Sequence, residues 1–250
     1  MNKDLIQYIL GIADNSLILG QRLGELCGHG PSLETDIALT NISLDLFGQT
    51  RSYYQYAAKL QGGDATEDTI AFLRLEREYK NVLLAEQPNT DFAYVIGRQF
   101  LFDVYHLAFL EELQNSTDEM LSAIAKKSIK EVLYHVRFTS DWIKRLGDGT
   151  EESHTRIQNA INDLWIFTDE LFHQTDADKA MVAEKIGVDV TLLKTAYYEK
   201  VSAVLNEATL QTPEMEYFQK GGKNGVHSEH MGYILTEMQY MQRTYPNMTW

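Results

Sequence analysis

Long stretches without helix-breaking residues constrain the fold of this chain most strongly. Only four prolines occur in 250 residues, and the glycines cluster at turns such as Gly28–Gly30 and Gly62–Gly63. Proline breaks a helix interior, so long runs without it favour helices over a loop-rich β fold. No stretch alternates apolar and polar residues for long enough to predict a strand. The sequence therefore predicts an all-α protein.

Turn residues divide the chain into nine predicted helices. They cover about 4–26, 32–60, 64–87, 91–114, 116–147, 150–172, 176–186, 190–207 and 228–244. Asp64 with Glu67, and Ser116 with Glu119, have the spacing of capping boxes at helix starts. These two pairs predict where the third and fifth helices begin.

The longest irregular segment is the predicted loop at 211–227. Loops of this length are often functional or interfacial. Because 44% of the 250 residues are hydrophobic, the chain can bury a substantial core. We interpret 1–250 as one domain, with a core bundle at about 4–172 and a C-terminal part at about 173–250.

The charge balance excludes some partners. With a formal net charge of −14, the chain repels nucleic acids and anionic membrane surfaces. Cys27 is the only cysteine, so there is no disulfide framework and no CxxC motif. No apolar run reaches the roughly 18 to 20 residues of a membrane span, and the N-terminal stretch lacks the pattern of a secretory signal. We expect a cytoplasmic protein.

The stretch "FLFDVYHLAFLEEL", residues 100–113, places two polar side chains in an apolar helix. Asp103 and His106 are three residues apart and so share one helix face. The predicted helix at 91–114 is apolar nearly all round, which predicts burial on several sides. A buried charge must be paired, hydrogen-bonded or metal-bound. Two interpretations stay open: the pair and its neighbours satisfy one another, or they ligate a metal.

A second candidate pair, Glu131 and His135, lies four residues apart in "IKEVLYHVRF". A di-iron carboxylate bundle uses one Glu from each of two helices and Glu-x-x-His from each of two others. In that register His135 is preceded by Val132, which cannot ligate. A shifted ligand set stays open by spacing alone and would consist of Glu25, Asp45, Asp103, His106, Glu131 and His135.

Three polar stretches have weaker patterns. "HSEH" at 227–230 could bind a metal, although capping and hydrogen bonding around Ser228 suit it better. The lysines of "KGGKNG", Lys220 and Lys223, could contact a phosphate, but the loop lacks the GxxxxGK[ST] spacing. We interpret the charged stretch "RLEREYKN" at 74–81 as a solvated or interfacial face.

Several stretches, taken together and in order, carry a resemblance to a known family. They are "QRLGELCGHGP" (21–31), "LDLFGQTR" (44–51), "AEQPNTDFA" (85–93), "IKEVLYHVRF" (129–138), "INDLWIFTDELF" (161–172), "NEATL" (206–210) and "GGKNGVHSEHMGYILTEMQYMQR" (221–243). The sequence resembles the C subunits of bacterial 1,2-phenylacetyl-CoA epoxidases, multicomponent ring-oxygenating enzymes of aerobic phenylacetate breakdown. The resemblance runs through essentially the whole chain and implies a ferritin-like helical bundle with additional C-terminal helices.

The resemblance also implies a complex. In this family the C subunit is structural and pairs with a related catalytic A subunit that holds the di-iron cofactor. A small B subunit and a reductase complete the assembly. The resemblance thus implies no catalysis and no cofactor in this chain; a homodimer of the isolated chain is an open alternative.

The family's ligand positions can be carried over residue by residue. The catalytic relative has a "DEAGH"-type motif where this chain has "DLFGQ" at 45–49, so Leu46 and Gln49 replace a Glu and a His. Val132 replaces the Glu of the second Glu-x-x-His motif.

The resemblance leaves three remnants of the ligand set: Glu25, Asp103 and His135. Two carboxylates and one imidazole are too few for two iron ions. We therefore expect a degenerate, metal-free site whose remnants hydrogen-bond one another. Lys220 and Lys223 are candidate contacts for acyl-CoA. The alternative function is an autonomous di-iron oxidase or oxygenase that uses the shifted ligand set.

Overall fold

The computed structural model describes residues 2–246 and 248, and all regular structure in them is helical. The predicted all-α class is confirmed. The α-helices are α1 (Asn2–Glu25), α2 (Leu33–Gln61), α3 (Glu67–Phe72), α4 (Leu83–Glu86), α5 (Phe92–Leu113), α6 (Glu119–Gly147), α7 (Glu151–Trp165), α8 (Asp176–Ala183), α9 (Lys194–Glu207) and α10 (Glu229–Thr244). Short 3-10 helices lie at Glu76–Glu78, Asp169–Phe172, Val190–Leu193 and Gly222–Asn224.

The chain divides into two compact units. The first consists of the described parts of 1–86, 175–181 and 221–250, and the second of 87–174 and 182–220. The first unit therefore contains α1 to α4 and α10, and the second contains α5 to α7 and α9. The interpretation of 1–250 as one domain with a core bundle and a C-terminal part stays a prediction.

An antiparallel pair, α1 and α2, forms the centre of the first unit. The hydroxyl of Ser43 donates to the carbonyl of Gly20 at 2.8 Å, and that of Thr50 donates to the carbonyl of Ala13 at 3.4 Å. Residue numbers thus rise along one helix as they fall along the other. A Cβ atom at Gly20 would lie only 3.0 Å from the ring of Phe47, so glycine permits this close approach.

The predicted third helix at 64–87 is wrong as a continuous element. The chain instead forms α3, a 3-10 turn and α4. Side chains of α1 take backbone donors that a continuous helix would need: Asp14 accepts from the amide of Lys80 at 2.7 Å, and Asn15 accepts from the amide of Val82 at 2.8 Å. These tertiary bonds replace the i to i−4 ladder.

Both predicted capping boxes are displaced by two residues. Thr66, rather than Asp64, caps α3, and its hydroxyl accepts from the amide of Thr69 at 3.1 Å. Asp118, rather than Ser116, caps α6 and accepts from two amides of the first turn. In both cases an acceptor nearer the helix start satisfies the exposed backbone donors.

A second antiparallel pair, α5 and α6, forms the centre of the second unit. The rings of Phe92 and Trp142 are 4.9 Å apart, and the hydroxyl of Ser122 donates to the carbonyl of Gln114 at 2.6 Å. The start of α5 therefore lies beside the end of α6. Helices α7 and α9 pack against this pair.

Helix α5 is buried on several sides, as its apolar sequence predicts. Its buried residues include Val95, Ile96, Phe100, Leu101, Phe102, Val104, Phe109 and Leu110. Even so, neither α5 nor any other helix among the described residues has both the length and the hydropathy needed to cross a membrane.

Candidate functional site

Helix α5 brings three polar side chains into the interior of the second unit. Gln99 and Asp103 are fully buried, and His106 is 3% exposed. Their spacing of four and then three residues puts them on one helix face. Because apolar residues surround them along α5, each polar atom needs a partner within the protein.

The carboxylate of Asp103 has few partners. The amide nitrogen of Gln99 donates to Asp103 Oδ1 at 2.7 Å, and the hydroxyl of Thr139 lies 3.4 Å from Oδ2. That hydroxyl is also 2.8 Å from the carbonyl of His135, to which it donates within α6. Burial raises the pKa of Asp103 to about 7, against the opposing effects of His135 and of the two hydrogen bonds.

The imidazoles of His106 and His135, both in the second unit, are also buried. Burial, together with the neighbouring His135, lowers the pKa of His106 to about 3, so His106 is neutral at physiological pH. Its Nδ1 atom has no hydrogen-bond partner among the described residues. Asp103 bonds Gln99 of α5 and Thr139 of α6, so its own helix and the neighbouring helix, rather than His106, satisfy its carboxylate.

The positions where the resemblance implies lost ligands are buried. Leu46 and Val132 have no exposed surface, and Gln49 is 2% exposed. Leucine and valine offer no donor atom to a metal, and the amide of Gln49 offers neither the charge nor the basicity of an imidazole. These residues do not fit a di-iron cofactor, because two iron ions need more anionic oxygen than the remaining residues supply.

The three expected remnants fall in different units. Glu25 lies in the first unit, where Arg22 donates to its two carboxylate oxygens at 3.2 and 2.9 Å. Asp103 and His135 lie in the second. The expectation that all three hydrogen-bond one another stays a prediction. Within residues 2–246 and 248, no group of three or more His, Cys, Asp or Glu side chains is arranged to hold a metal ion, so the shifted ligand set gains no support.

The "HSEH" stretch is part of a hydrogen-bonded cluster in the first unit. The Nδ1 atom of His227 is 2.7 Å from Glu86 Oε1, and its Nε2 atom is 3.0 Å from the carbonyl of Tyr79. Both ring nitrogens are thus engaged and neither faces an open ligand position. Ser228 occupies the N-cap position before α10, but its hydroxyl donates to Glu86 Oε2 at 2.7 Å and does not cap the helix.

The two candidate phosphate-binding lysines have different surroundings. In the second unit, Lys220 pairs with Asp169 at 2.9 Å, and Lys194 pairs with the same carboxylate. Burial opposes ionisation of Asp169, yet the hydrogen bonds from these two lysines lower its pKa. Lys223 belongs to the first unit and lies half-buried in the 3-10 turn Gly222–Asn224.

Comparison with known proteins identifies the chain's family. A family model described as phenylacetic acid catabolic protein matches residues 1–250. This chain belongs to the phenylacetic acid catabolic protein family. It is also 50% identical to the C subunit of the 1,2-phenylacetyl-CoA epoxidase of Escherichia coli (strain K12) over 246 residues, which is 98% of this chain and 99% of that relative. The resemblance stated from the sequence is confirmed, and with it the ferritin-like fold class.

In this member of the family, sequence reasoning missed a buried ion pair. Arg74 donates to the two carboxylate oxygens of Asp14 at 2.5 and 3.0 Å and to the hydroxyl of Tyr54 at 2.7 Å. Its guanidinium also lies 4.1 Å from the ring centroid of Tyr79. The interpretation of 74–81 as a solvated or interfacial face is therefore wrong for Arg74 and Tyr79, whose side chains pack within the first unit, although its acidic residues are exposed.

Proposed function

We propose that this chain is a non-catalytic subunit of a 1,2-phenylacetyl-CoA epoxidase in aerobic phenylacetate breakdown. The observation that carries the proposal is the 50% identity to the C subunit of such an enzyme over almost the entire length of both chains. The chain would bind and stabilise a di-iron catalytic A subunit in the cytoplasm, within an assembly that also contains a B subunit and a reductase.

Buried aliphatic side chains support the non-catalytic part of the proposal. Leu46 and Val132 occupy fully buried positions where the family's catalytic member needs carboxylates. They remove the desolvation cost of a buried acidic cluster, so the helices can pack without a metal. In this proposal the di-iron cofactor and the oxygen chemistry belong to the A subunit alone.

An apolar stripe on α2 supports the proposed pairing. Leu33, Ile37 and Leu44 are 71%, 51% and 60% exposed, and their spacing of four and seven residues places them on one helix face. Large exposed aliphatic side chains in a row are typical of surfaces that another protein covers. We therefore propose this stripe as part of the surface that the catalytic subunit buries.

Gel filtration of the co-expressed chain and A subunit tests the pairing. We expect the two to elute together, and we expect Ile37→Asp with Leu44→Asp to weaken the complex by tenfold or more. Leu192→Asp is the matched control, because Leu192 is 78% exposed and belongs to the second unit rather than to α2. Separate elution of the wild-type chains would contradict the proposed function.

An acyl-CoA contact by Lys220 and Lys223 is proposed as a secondary role. The ion pair with Asp169 weighs against Lys220, because a phosphate would have to displace a carboxylate already in place. The test is the affinity of the complex for phenylacetyl-CoA after Lys220→Ala and Lys223→Ala. A severalfold loss supports the contact, and unchanged affinity removes it.

A further inference from the structure

Helix α6 carries positive charge in a strongly acidic chain. It contains six Lys or Arg residues and three Asp or Glu residues, whereas the formal net charge of the chain is −14. Five of the six are exposed, and four of these, Lys126, Lys127, Lys130 and Arg137, lie between residues 126 and 137. Among the described residues no ion pair joins any of these four to a carboxylate, in contrast to Lys144, which pairs with Glu207.

The four cations surround an exposed apolar centre. Leu133 and Tyr134 are each 48% exposed. Lys126, Lys130, Leu133 and Arg137 follow one another at spacings of four, three and four residues, so they form one stripe of about 16 Å along the helix. Lys127 and Tyr134 lie beside it. We call these six residues the basic face of α6.

The composition of the basic face differs from that of the α2 stripe. Lysine is depleted in the apolar cores of stable interfaces, and it is costly to immobilise. Charged faces instead steer association and suit interfaces that form and dissociate readily. The basic face is therefore suited to a different, reversible contact.

Charge decides which occupant fits. A second copy related by a two-fold axis through this face would place like charges opposite one another. Nucleic acids and anionic membranes extend well beyond the face and would meet the repulsion of the remaining acidic surface. A compact protein feels mainly the charges within a Debye length of about 8 to 10 Å. We infer that the basic face of α6 is a reversible docking surface for a protein that presents carboxylates around an apolar centre.

Charge reversal tests this inference, which rests on the proposed function for the choice of probes. The purified A, B and reductase components would be titrated one at a time against the full-length chain, using Lys126→Glu/Lys127→Glu/Lys130→Glu. The matched control is Lys3→Glu/Lys59→Glu/Lys200→Glu, which reverses three other exposed lysines and changes the net charge equally. Circular dichroism would check that both variants fold. Vesicles rich in phosphatidylserine and a short DNA duplex are the competing probes.

We expect one component to bind the wild-type chain with an affinity that falls steeply with salt. The α6 variant should lose about tenfold or more of that affinity and most of the salt dependence, with less than a twofold change in the control. Equal affinities of the two variants for every component, or discrimination by vesicles or DNA alone, would overturn the inference. If the wild-type chain and both variants each form a stable complex with the A subunit, the proposed function is supported whatever the outcome for the basic face. If the wild-type chain forms no such complex, the proposed function itself is contradicted.

Discussion

Buried carboxylates have different hydrogen-bond partners in the two units of this protein. In the first unit, Asp14 accepts hydrogen bonds from Arg74, Tyr54 and the backbone of Lys80. In the second unit, Asp103 is equally buried, but within the described part of the chain its one close partner is the neutral amide of Gln99, and no cation donates to it. The carboxylate of Asp14 thus has a full set of hydrogen-bond donors, whereas that of Asp103 has few.

The two carboxylates therefore have different roles in the proposed account. Asp14 stabilises the fold, whereas Asp103 is a remnant of a former metal site. A carboxylate held by a guanidinium joins distant segments of the chain, and removal of either partner leaves a buried charge. Asp103, whose pKa burial raises to about 7, has no cation donating to its carboxylate among the described residues. In the proposed account, the Asp103 cluster persists on α5 and α6 after the aliphatic residues Leu46 and Val132 have replaced former ligands.

The largest predicted effect is the loss of the Asp14 network. Asp14→Asn should lower the free energy of unfolding by about 3 to 5 kcal/mol, because it leaves the guanidinium of Arg74 buried without an anionic partner. Chemical denaturation measures the loss. The control is Glu67→Gln, which breaks the surface pair with Arg51, whose side chain is 72% exposed, and should cost less than about 1 kcal/mol. If the two variants lose the same free energy of unfolding, the Asp14 network is no more important for stability than a surface ion pair.

Glu86 should follow in magnitude. Its carboxylate accepts from His227, from Asn81, and from the amide and hydroxyl of Ser228. Glu86→Gln should cost about 2 to 4 kcal/mol, because the new amide group would point a donor at other donors. Chemical denaturation measures the loss. Glu25→Gln is the control, because the carboxylate of Glu25 is only partly buried and its loss should lower the free energy of unfolding less. A loss below about 1 kcal/mol would mean that the cluster is not a stability element.

The next prediction concerns the pH dependence from His227. Burial alone would lower its pKa, but the hydrogen bond to Glu86 raises it overall. Since the folded state binds this proton more tightly, the stabilising contribution is complete below about pH 6.5 and is lost as pH rises through the raised pKa of the folded state. His227→Gln should remove that part of the decline. Urea denaturation at pH 6 to 9 measures it, and an unchanged pH profile would contradict the assignment.

Substitution of Asp103 should have the opposite sign and stabilise the protein at alkaline pH. Because its pKa is about 7 in the folded protein and near 3.8 in the unfolded chain, its contribution to stability is lost as pH rises from about 4 to 7. Asp103→Asn mimics the protonated group and should raise the free energy of unfolding at pH 8. Strong destabilisation at pH 8 would show that the carboxylate is needed in its ionised form.

The sequence predicts the helices of this protein better than its polar contacts. The apolar run of α5 predicts its burial, because a helix without a polar face can only be packed inside a protein. The break in the predicted third helix could not be foreseen, because the competing acceptor, Asp14, lies 66 residues before the amide of Lys80 that it binds. Local capping rules find helix starts to within two residues but do not rank acceptors that lie close together.

The candidate site was predictable only in part. Helical spacing puts Asp103 and His106 on one face, and it also offers Gln99, four residues before Asp103, as a hydrogen-bond donor. Spacing also offers Arg22, three residues before Glu25, as a partner of that carboxylate, but it does not exclude a distant partner. The significance of Leu46 and Val132 came from the resemblance, since buried aliphatic residues are ordinary in any helical core.

Iron content tests the central claim most directly. The isolated chain and its complex with the A subunit would be loaded with ferrous iron, passed through gel filtration and measured by elemental analysis, with a sample of the A subunit alone beside them. We predict less than about 0.1 iron per isolated chain, and iron in the complex that matches the content of its A subunit. About two iron ions per isolated chain, lost on substitution of Asp103 or His135, would contradict the account.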